Sequence, residues 1–261
     1  MKRKMIAFDY DMTLYDHATW SIPESASRAL LKLKQRGNIL VLATGRDMDN
    51  YYSRDMINSL NMDARIEQNG TKIIAGNELI YDHRMEKNLL GRLLDYGIAK
   101  QYCLGVTAGN YDYYTCPDIL NDIDIRRFGK CKRNFKPPEL IRDMDIRTIL
   151  FWGNDDQKTD LEEHFPEAKF RRFDVHGADV MEKECSKANG LRLLCRHYDV
   201  DISDTFSFGD SMNDMEILET AGTGIAMGNS CAELKEEADY VTTAIGEDGI
   251  WNACIHFGLI G

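Results

Sequence analysis

The chain has 261 residues, of which 43% are apolar and 29% charged, so it can bury the core of one large domain or two modest ones. Its net charge of -11 argues against nucleic acid as a partner, because phosphate backbones are bound by clustered Lys and Arg. No run approaches the ~20 apolar residues that cross a bilayer, so we expect no membrane partner.

The cysteines predict a reducing compartment. There are seven, they are scattered, and they form no C-x-x-C pair. This pattern is typical of reduced thiols rather than of a disulfide framework. The apolar run from Met5 to Phe8 is also too short for the hydrophobic region of a secretory signal peptide. We therefore expect a cytoplasmic protein.

The N-terminal region predicts a strand, a helix and a second strand. Ile6–Phe8 is an apolar run typical of a buried strand, and Ser21–Glu24 is a capping-box pattern with Pro in the first turn. Apolar residues then recur at helical spacing until Gly37, at Ala26, Ala29, Leu30 and Leu33. Ile39–Ala43 is continuously apolar, as in a strand covered on both faces of a parallel sheet. This order predicts a βαβ unit.

The middle of the chain has a different pattern. A predicted helix over residues 86–96 is followed by strand-like segments at 111–115, 147–152 and 169–173, with Pro137-Pro138 and Asn154–Asp156 as breaks between segments. We interpret residues 82–182 as an α+β insert in a loop of an α/β domain.

The alternation of helices and strands returns near the C-terminus. The predicted elements are helix 188–198, strand 205–208, helix 215–220, strand 224–227, helix 232–238 and strand 239–243. The sequence thus predicts an α/β fold with a parallel-sheet core over residues 1–81 and 183–261.

Four local patterns fall near predicted strand ends, where open α/β sheets place their ligands. They are Asp9-x-Asp11-x-Thr13, Thr44-Gly45-Arg46, Lys187 at the start of a helix, and Gly209-Asp210-Ser211-Met212-Asn213-Asp214. The two aspartates of the first pattern repel each other at the end of a buried strand. We therefore expect positive charge beside them.

The order and spacing of these patterns resemble those of haloacid dehalogenase (HAD) superfamily phosphatases of the Cof type, along the whole chain. The resemblance implies a Rossmannoid parallel-sheet core, a C2B-type α+β cap that reads the leaving group, and hydrolysis of small phosphorylated metabolites such as sugar phosphates. It also implies Mg²⁺ as the cofactor.

The resemblance implies a role for each matched residue. Asp9 would attack phosphorus and form an aspartyl-phosphate, and Asp11 would protonate the leaving oxygen and then activate water. Lys187 would supply fixed positive charge to the transferring group and to Asp9. The implied Mg²⁺ ligands are the Asp9 carboxylate, the Asp11 main-chain carbonyl and Asp210, with Asp214 orienting them. The implied phosphate-binding residues are Thr44, Gly45 and Asn213.

Two positions depart from the family pattern. Met12 follows the second aspartate, where the family usually has Gly for a tight turn. Thr71 follows Asn69-Gly70, where the family commonly has Ala. Neither change removes a reacting group, but Met12 is expected to alter the geometry of the nucleophile loop.

Other interpretations of the same patterns fit less well. A calcium loop starting at Asp9 would need Gly and Glu where the chain has Leu14 and Trp20. The glycines at 222, 224 and 228 miss the dinucleotide spacing by one residue and are better explained by strand-end packing. The six histidines show no metal-ligand spacing. The Tyr111–Tyr114 run is either a pocket wall or a half-buried strand.

Two rival functions remain. A phosphomutase of the same superfamily would return the phosphoryl group to a sugar instead of to water. A non-catalytic sensor of phosphorylated ligands would keep the binding residues without turnover.

Overall fold

A computed structural model describes residues 2–50, 53 and 60–261. The chain forms two compact units. The first contains the described residues up to 46 together with 60–82 and 185–261, and the second contains 83–184 with the described residues between 47 and 59.

None of the described helices combines the length and the hydropathy needed to cross a membrane. All seven cysteines are free thiols.

The strands in chain order are β1 (Met5–Phe8), β2 (Ile39–Ala43), β3 (Ala64–Glu67), β4 (Lys72–Ala75), β5 (Glu78–Asp82), β6 (Cys103–Ala108), β7 (Tyr111–Tyr114), β8 (Phe135–Lys136), β9 (Ile149–Trp152), β10 (Ala168–Arg172), β11 (Gly177–Glu182), β12 (Thr205–Gly209), β13 (Thr223–Ala226) and β14 (Tyr240–Val241). The α-helices, numbered over the described residues, are α1 (Glu24–Gln35), α2 (Lys87–Lys100), α3 (Pro117–Phe128), α4 (Asp155–His164), α5 (Lys187–Tyr198), α6 (Met215–Thr220), α7 (Ala232–Glu237) and α8 (Gly249–His256).

The first unit is built on an eight-stranded sheet with the order β14-β13-β12-β1-β2-β3-β4-β5. The strands from β14 to β3 are parallel, and β4 and β5 extend the sheet as antiparallel strands. β1 and β2 are buried along their full lengths, as expected for strands covered on both faces. On one face, α5 packs Leu191 and Leu194 into a cluster with Val41 and Ile66.

The second unit is a six-stranded sheet with the order β10-β11-β9-β6-β7-β8. All of its pairs are antiparallel except β7 with β8. Leu90, Leu93 and Leu94 of α2 pack on this sheet beside Phe151 and Val180. The unit is therefore an α+β layer with its own hydrophobic core.

Within the second unit, Tyr113 and Tyr114 of β7 are buried, whereas Tyr111 is 42% exposed. Asp112 of the same strand is held by Thr107 and Arg133. This burial supports the interpretation of the tyrosine run as a packed strand.

Several boundaries differ from the sequence-based expectations. The predicted capping box at Ser21 is wrong: α1 starts at Glu24 after Pro23, with no side-chain cap. Ser21 instead pairs through its backbone with Asp16 and closes the preceding loop. Thr44 is also expected to lie where a strand gives way to a helix, and most of the residues where that helix is expected lie outside the described part of the chain.

The sequence did not predict α4. Its residues are almost all polar, and Leu161 alone is buried, so no apolar period marks it. Asn154, expected to mark a break, caps this helix by accepting the Gln157 N–H at 2.9 Å.

Helix α1 offers a matched test of the core of the first unit. Leu33 is fully buried and Leu31 is 60% exposed. We predict that Leu33→Ala lowers the free energy of unfolding by about 2–5 kcal/mol, because it removes apolar contacts and leaves a cavity. Leu31→Ala should change it by less than about 0.5 kcal/mol. Urea unfolding of both variants measures this, and equal losses would show that α1 is not packed as described.

Candidate active site

Three neighbouring parallel strands end at the same edge of the first sheet. β1 pairs with β12 on one side and with β2 on the other, with Phe8 opposite Phe208 and Leu42. The residues that follow these strand ends include Asp9, Thr44 and Asp210. The Asp9 N–H donates to the Phe208 carbonyl at 2.9 Å, which continues the ladder into the site. The sheet register thus brings together residues that are up to 201 positions apart in the sequence.

The side chain of Lys187 lies among carboxylates. Its Nζ donates to Asp9 Oδ1 at 2.7 Å and to Asp214 Oδ1 at 2.6 Å, and Lys187 is only 1% exposed. Lys187 is the first residue of α5, after the cap residue Ser186, whose hydroxyl accepts the Asn189 N–H. The site therefore contains the positive charge that the paired aspartates require.

The start of α5 is packed closely against a glycine. Gly70 has φ +93°, and a Cβ there would lie 2.1 Å from the Ser186 carbonyl oxygen. Residues with a side chain rarely adopt such a φ. Gly70 therefore lets the backbone carrying Lys187 approach the sheet, and this close contact gives a physical reason for the Asn69-Gly70 turn.

The loop after β12 positions its own carboxylates. Asp214 Oδ2 accepts the N–H groups of Asp210 at 3.1 Å and Ser211 at 3.2 Å. Asp210 Oδ1 accepts from Thr13 Oγ1 at 3.2 Å, and the Ser211 hydroxyl donates to Asn213 Oδ1 at 2.6 Å. Asp214, fully buried, thus uses one oxygen for the lysine and the other to hold the loop.

The electrostatics of this cluster show uncompensated negative charge. Burial raises the pKa of Asp9 well above its usual value, Asp214 raises it further, and Lys187 opposes both effects. Burial and Asp214 raise the pKa of Asp210 to about 7. Burial alone would lower the pKa of Lys187, but the charges of Asp214 and Asp9 outweigh it and raise the pKa.

The cluster fits a divalent cation. Asp9, Asp210 and Asp214 each place a carboxylate oxygen within 4.8 Å of the others. Together with Asp11 they form four carboxylates, which outnumber the two cationic groups, Lys187 and Arg46, that contact them. Carboxylate oxygens are the ligands that hard cations such as Mg²⁺ prefer.

The Asp11 side chain lies in a different environment from that of Asp9. Arg46 donates from Nε to Asp11 Oδ2 at 2.8 Å and from Nη2 to Oδ1 at 2.6 Å. His17 Nε2 lies 2.7 Å from Oδ1. Burial opposes ionisation of Asp11, but the hydrogen bonds of Arg46 and His17 dominate and hold its pKa well below the usual range. The neighbouring aspartates thus have opposite pKa shifts.

Met12 adopts the strained conformation expected where the family has glycine. Its φ is +59°, in the left-handed region. Its N–H donates to the Tyr15 carbonyl at 2.8 Å, and its carbonyl accepts from Asn229 Nδ2 at 2.9 Å. The loop therefore keeps the turn at the cost of backbone strain in a residue with a side chain.

The structure also shows contacts that sequence reasoning did not assign. Arg46 was noted within Thr44-Gly45-Arg46 without a role, and its N–H donates to the Thr44 hydroxyl at 3.0 Å. His17 follows Asp11 by six residues and has no motif to mark it. Gly45 lies between Thr44 and Arg46 and is partly exposed.

A second group of ligand-type side chains lies in the other unit. His83, Glu182 and Glu184 place ligand atoms within 4.8 Å of one another. His83 forms an ion-pair contact with Glu182, and the Glu184 side chain is 59% exposed. The sequence spacing of the histidines did not predict this group, because its members are brought together by chain segments 99 residues apart.

Comparison with known proteins shows the family of the chain. The family model of haloacid dehalogenase-like hydrolases matches residues 6–254. The chain is 31% identical over 265 residues to the "Putative phosphatase YkrA" of Bacillus subtilis (strain 168), with both proteins fully covered. It is 26% identical over 258 residues to the HMP-PP phosphatase of Klebsiella pneumoniae (strain 342), covering 91% of this chain and 89% of that protein.

A solved structure of similar fold is the HAD subclass IIB sugar phosphatase BT4131. The two structures superpose with a TM-score of 0.88 at 26% sequence identity, covering 98% of this chain and all of the other.

The strain at Met12 can be measured with two truncations. Met12→Gly and Met12→Ala both remove the side chain, but only glycine accepts a positive φ without a penalty. We predict that Met12→Gly is more stable than Met12→Ala by about 1 kcal/mol in urea unfolding.

The control for this prediction is the same pair of substitutions in ordinary helix, at Leu31. There alanine should be the more stable residue, by about 1 kcal/mol. Greater stability of Met12→Ala than of Met12→Gly would contradict a left-handed Met12.

The raised pKa of Asp210 predicts how stability depends on pH and metal. Between about pH 4 and 7 the folded carboxyl holds a proton that the unfolded chain has lost, so the metal-free protein becomes less stable as pH rises through this range. The shift at Asp9 acts in the same direction. A divalent cation binds the ionised carboxylates, so Mg²⁺ should raise the melting temperature more at pH 8 than at pH 5.

Thermal unfolding with chelator or with excess Mg²⁺ at the two pH values measures this effect. Asp210→Asn should remove most of the Mg²⁺-dependent increment, whereas Asp199→Asn, at an exposed helix end, should retain it. An increment independent of pH would contradict the assignment of the carboxylate cluster as the cation site.

Proposed function

The chain belongs to the haloacid dehalogenase-like hydrolases and is a phosphoric monoester hydrolase, and we propose that it acts on small phosphomonoesters through an aspartyl-phosphate on Asp9 with Mg²⁺ as cofactor. The observation that carries this proposal is the contact of buried Lys187 with both Asp9 and Asp214 beside Asp210. This arrangement places a nucleophilic carboxylate, a fixed cation and a group of cation ligands at one strand end.

In the first step an Asp9 oxygen attacks phosphorus, and the bond from phosphorus to the leaving oxygen breaks. For this step Asp11 must carry a proton that it does not hold in the free protein, and it gives that proton to the leaving oxygen, so the alcohol departs neutral. In the second step Asp11 takes a proton from water, and the water oxygen attacks phosphorus. Inorganic phosphate leaves and the Asp9 carboxylate is restored.

The surrounding residues would stabilise charge during both steps. Lys187 Nζ is held 2.7 Å from Asp9 Oδ1 and so would place positive charge beside the carboxylate that attacks phosphorus. Mg²⁺, bound by Asp9, Asp210 and the Asp11 carbonyl, would shield the nucleophile from the negative charge of the phosphate. Asp214 would keep the ligands oriented through its bonds to Lys187 and the 210–211 backbone.

We assign phosphate binding to Thr44, Gly45 and Asn213. Thr44 and Gly45 directly follow β2, and parallel strand ends present N–H groups and hydroxyls to anions. Asn213 lies in the same loop as Asp210 and Asp214, where its amide is held by the Ser211 hydroxyl. These groups recognise phosphate oxygens and leave the rest of the substrate free to vary.

Two relatives support the substrate class that we propose. One is a sugar phosphatase and another is an HMP-PP phosphatase. We therefore favour small phosphorylated metabolites, with sugar phosphates first. The insert at residues 82–182 is our candidate for the domain that selects the leaving group, as the family resemblance implies.

The nucleophile assignment is tested by phosphate release from a panel of sugar and nucleotide monophosphates, with and without Mg²⁺. Wild type should release phosphate only with Mg²⁺. Asp9→Asn keeps the side-chain size but removes the attacking charge, so turnover should fall at least ~10³-fold. Asp199→Asn, at the exposed C-terminal end of α5, is the matched control and should retain activity.

Each alternative gives a different result in this assay. Turnover by Asp9→Asn equal to wild type would show that another group is the nucleophile. Isomerised sugar phosphate in excess of inorganic phosphate would identify a phosphomutase. Metal-dependent ligand binding without any turnover would identify a sensor.

A further inference from the structure

We propose that His17 is a positioning residue for the acid–base carboxylate of Asp11, an inference that rests on the proposed phosphatase function. Neither the sequence motifs nor the contacts of the nucleophile include His17. Its role follows from two observations: the loop that carries His17 is closed, and the two oxygens of Asp11 have different hydrogen-bond partners.

The two Asp11 oxygens have unequal sets of partners. Oδ1 is contacted by His17 Nε2 at 2.7 Å and by Arg46 Nη2 at 2.6 Å. Among the hydrogen bonds described for Asp11, Oδ2 accepts only from Arg46 Nε, at 2.8 Å. An ionised carboxylate only accepts hydrogen bonds, so His17 presents an N–H at Nε2. His17 therefore fills the acceptor sites of Oδ1 and leaves Oδ2 with capacity for a reacting group.

The His17 ring is itself held on two sides. It packs edge-on against Tyr15, with ring centroids 5.4 Å apart at 81°, and against Trp20, at 5.8 Å and 87°. Tyr15 stacks in turn on fully buried Tyr10. The aromatic rings thus connect the imidazole to the core of the unit.

The loop that carries His17 is closed by backbone contacts. Asp11 bridges to Tyr15 and Asp16 bridges to Ser21. Trp20 lies at the end of this loop with φ +54° and is 67% exposed, so its conformation is strained and its burial is small. The edge-on contact with the His17 ring therefore gives a structural reason for Trp20 to keep this strained conformation.

His17 and Arg46 contribute differently to holding Asp11. Arg46 reaches Asp11 from 35 residues away through a long side chain with large rotamer entropy. His17 is six residues away in the same closed loop, and its ring has few rotamers. Arg46 therefore fixes the charge of Asp11, and His17 fixes which oxygen stays open. Misplacing a catalytic group by about 1 Å costs up to ~10²-fold in rate.

The test compares two leaving groups by kcat/KM, which covers the steps up to departure of the leaving group. An alkyl phosphate, such as the best hexose 6-phosphate of the panel, needs the Asp11 proton. The nitrophenolate of p-nitrophenyl phosphate leaves without one. We predict that His17→Ala lowers kcat/KM about 10–100-fold for the alkyl phosphate and less than about 3-fold for the aryl phosphate.

Two further variants separate positioning from packing. His17→Gln places an amide N–H near the position of Nε2 and should restore alkyl phosphate turnover to within about 3-fold of wild type, whereas the shorter His17→Asn should not. His256→Ala, at an exposed histidine of α8, is the control and should match wild type on both substrates. Melting temperatures of all variants verify folding.

Three results would overturn the role of His17 while leaving the proposed function in place. They are an equal loss of kcat/KM on both substrates in His17→Ala, no loss on either substrate, and no rescue by His17→Gln. Turnover of the aryl phosphate alone by wild type would also overturn it, since no acid-assisted step would remain. A wild-type enzyme silent on both substrates would instead overturn the proposed function, and the role of His17 with it.

Discussion

The active site depends on one buried ammonium group placed between two buried carboxylates. A lone charge at this depth would be costly, and so would either aspartate without it. Lys187, Asp9 and Asp214 therefore need one another, and each comes from a different part of the chain. Three features bring these groups together: the register of β1 with β12, the start of α5 at Lys187, and the contact of Gly70 with Ser186.

The cluster remains negative after the lysine is included, and this explains how a strongly acidic protein can bind phosphate esters. A divalent cation held by Asp9, Asp210 and the Asp11 carbonyl would supply the missing positive charge locally. The protein then needs no extended basic surface. Its chemistry depends on a few fixed charges in a place where water screens them weakly.

Asp9 and Asp11 show how two aspartates one residue apart can have different contacts and opposite pKa shifts. Asp9 continues β1 and lies against Lys187, whereas Asp11 lies in the following loop against Arg46 and His17. Met12 lies between Asp11 and Thr13, and its positive φ turns the backbone at this point. The backbone strain at Met12 is thus part of a loop that holds the two carboxylates in distinct environments.

The sequence by itself determined the α/β class, the strands at both ends of the chain and the residues that meet at the strand ends, because apolar runs and charged motifs are local properties of the chain. It did not predict helix α4, because that helix is almost entirely polar and has no apolar period. It did not predict the roles of Arg46 and His17, because these depend on their contacts with Asp11 in the folded chain. It also placed a capping box at Ser21, which instead pairs with Asp16. The family resemblance had implied the pairing of Lys187 with Asp9, whereas only the tertiary structure decided that Asp11 would have Arg46. That choice is set by the sheet register and loop closure, which act between segments that no local pattern connects.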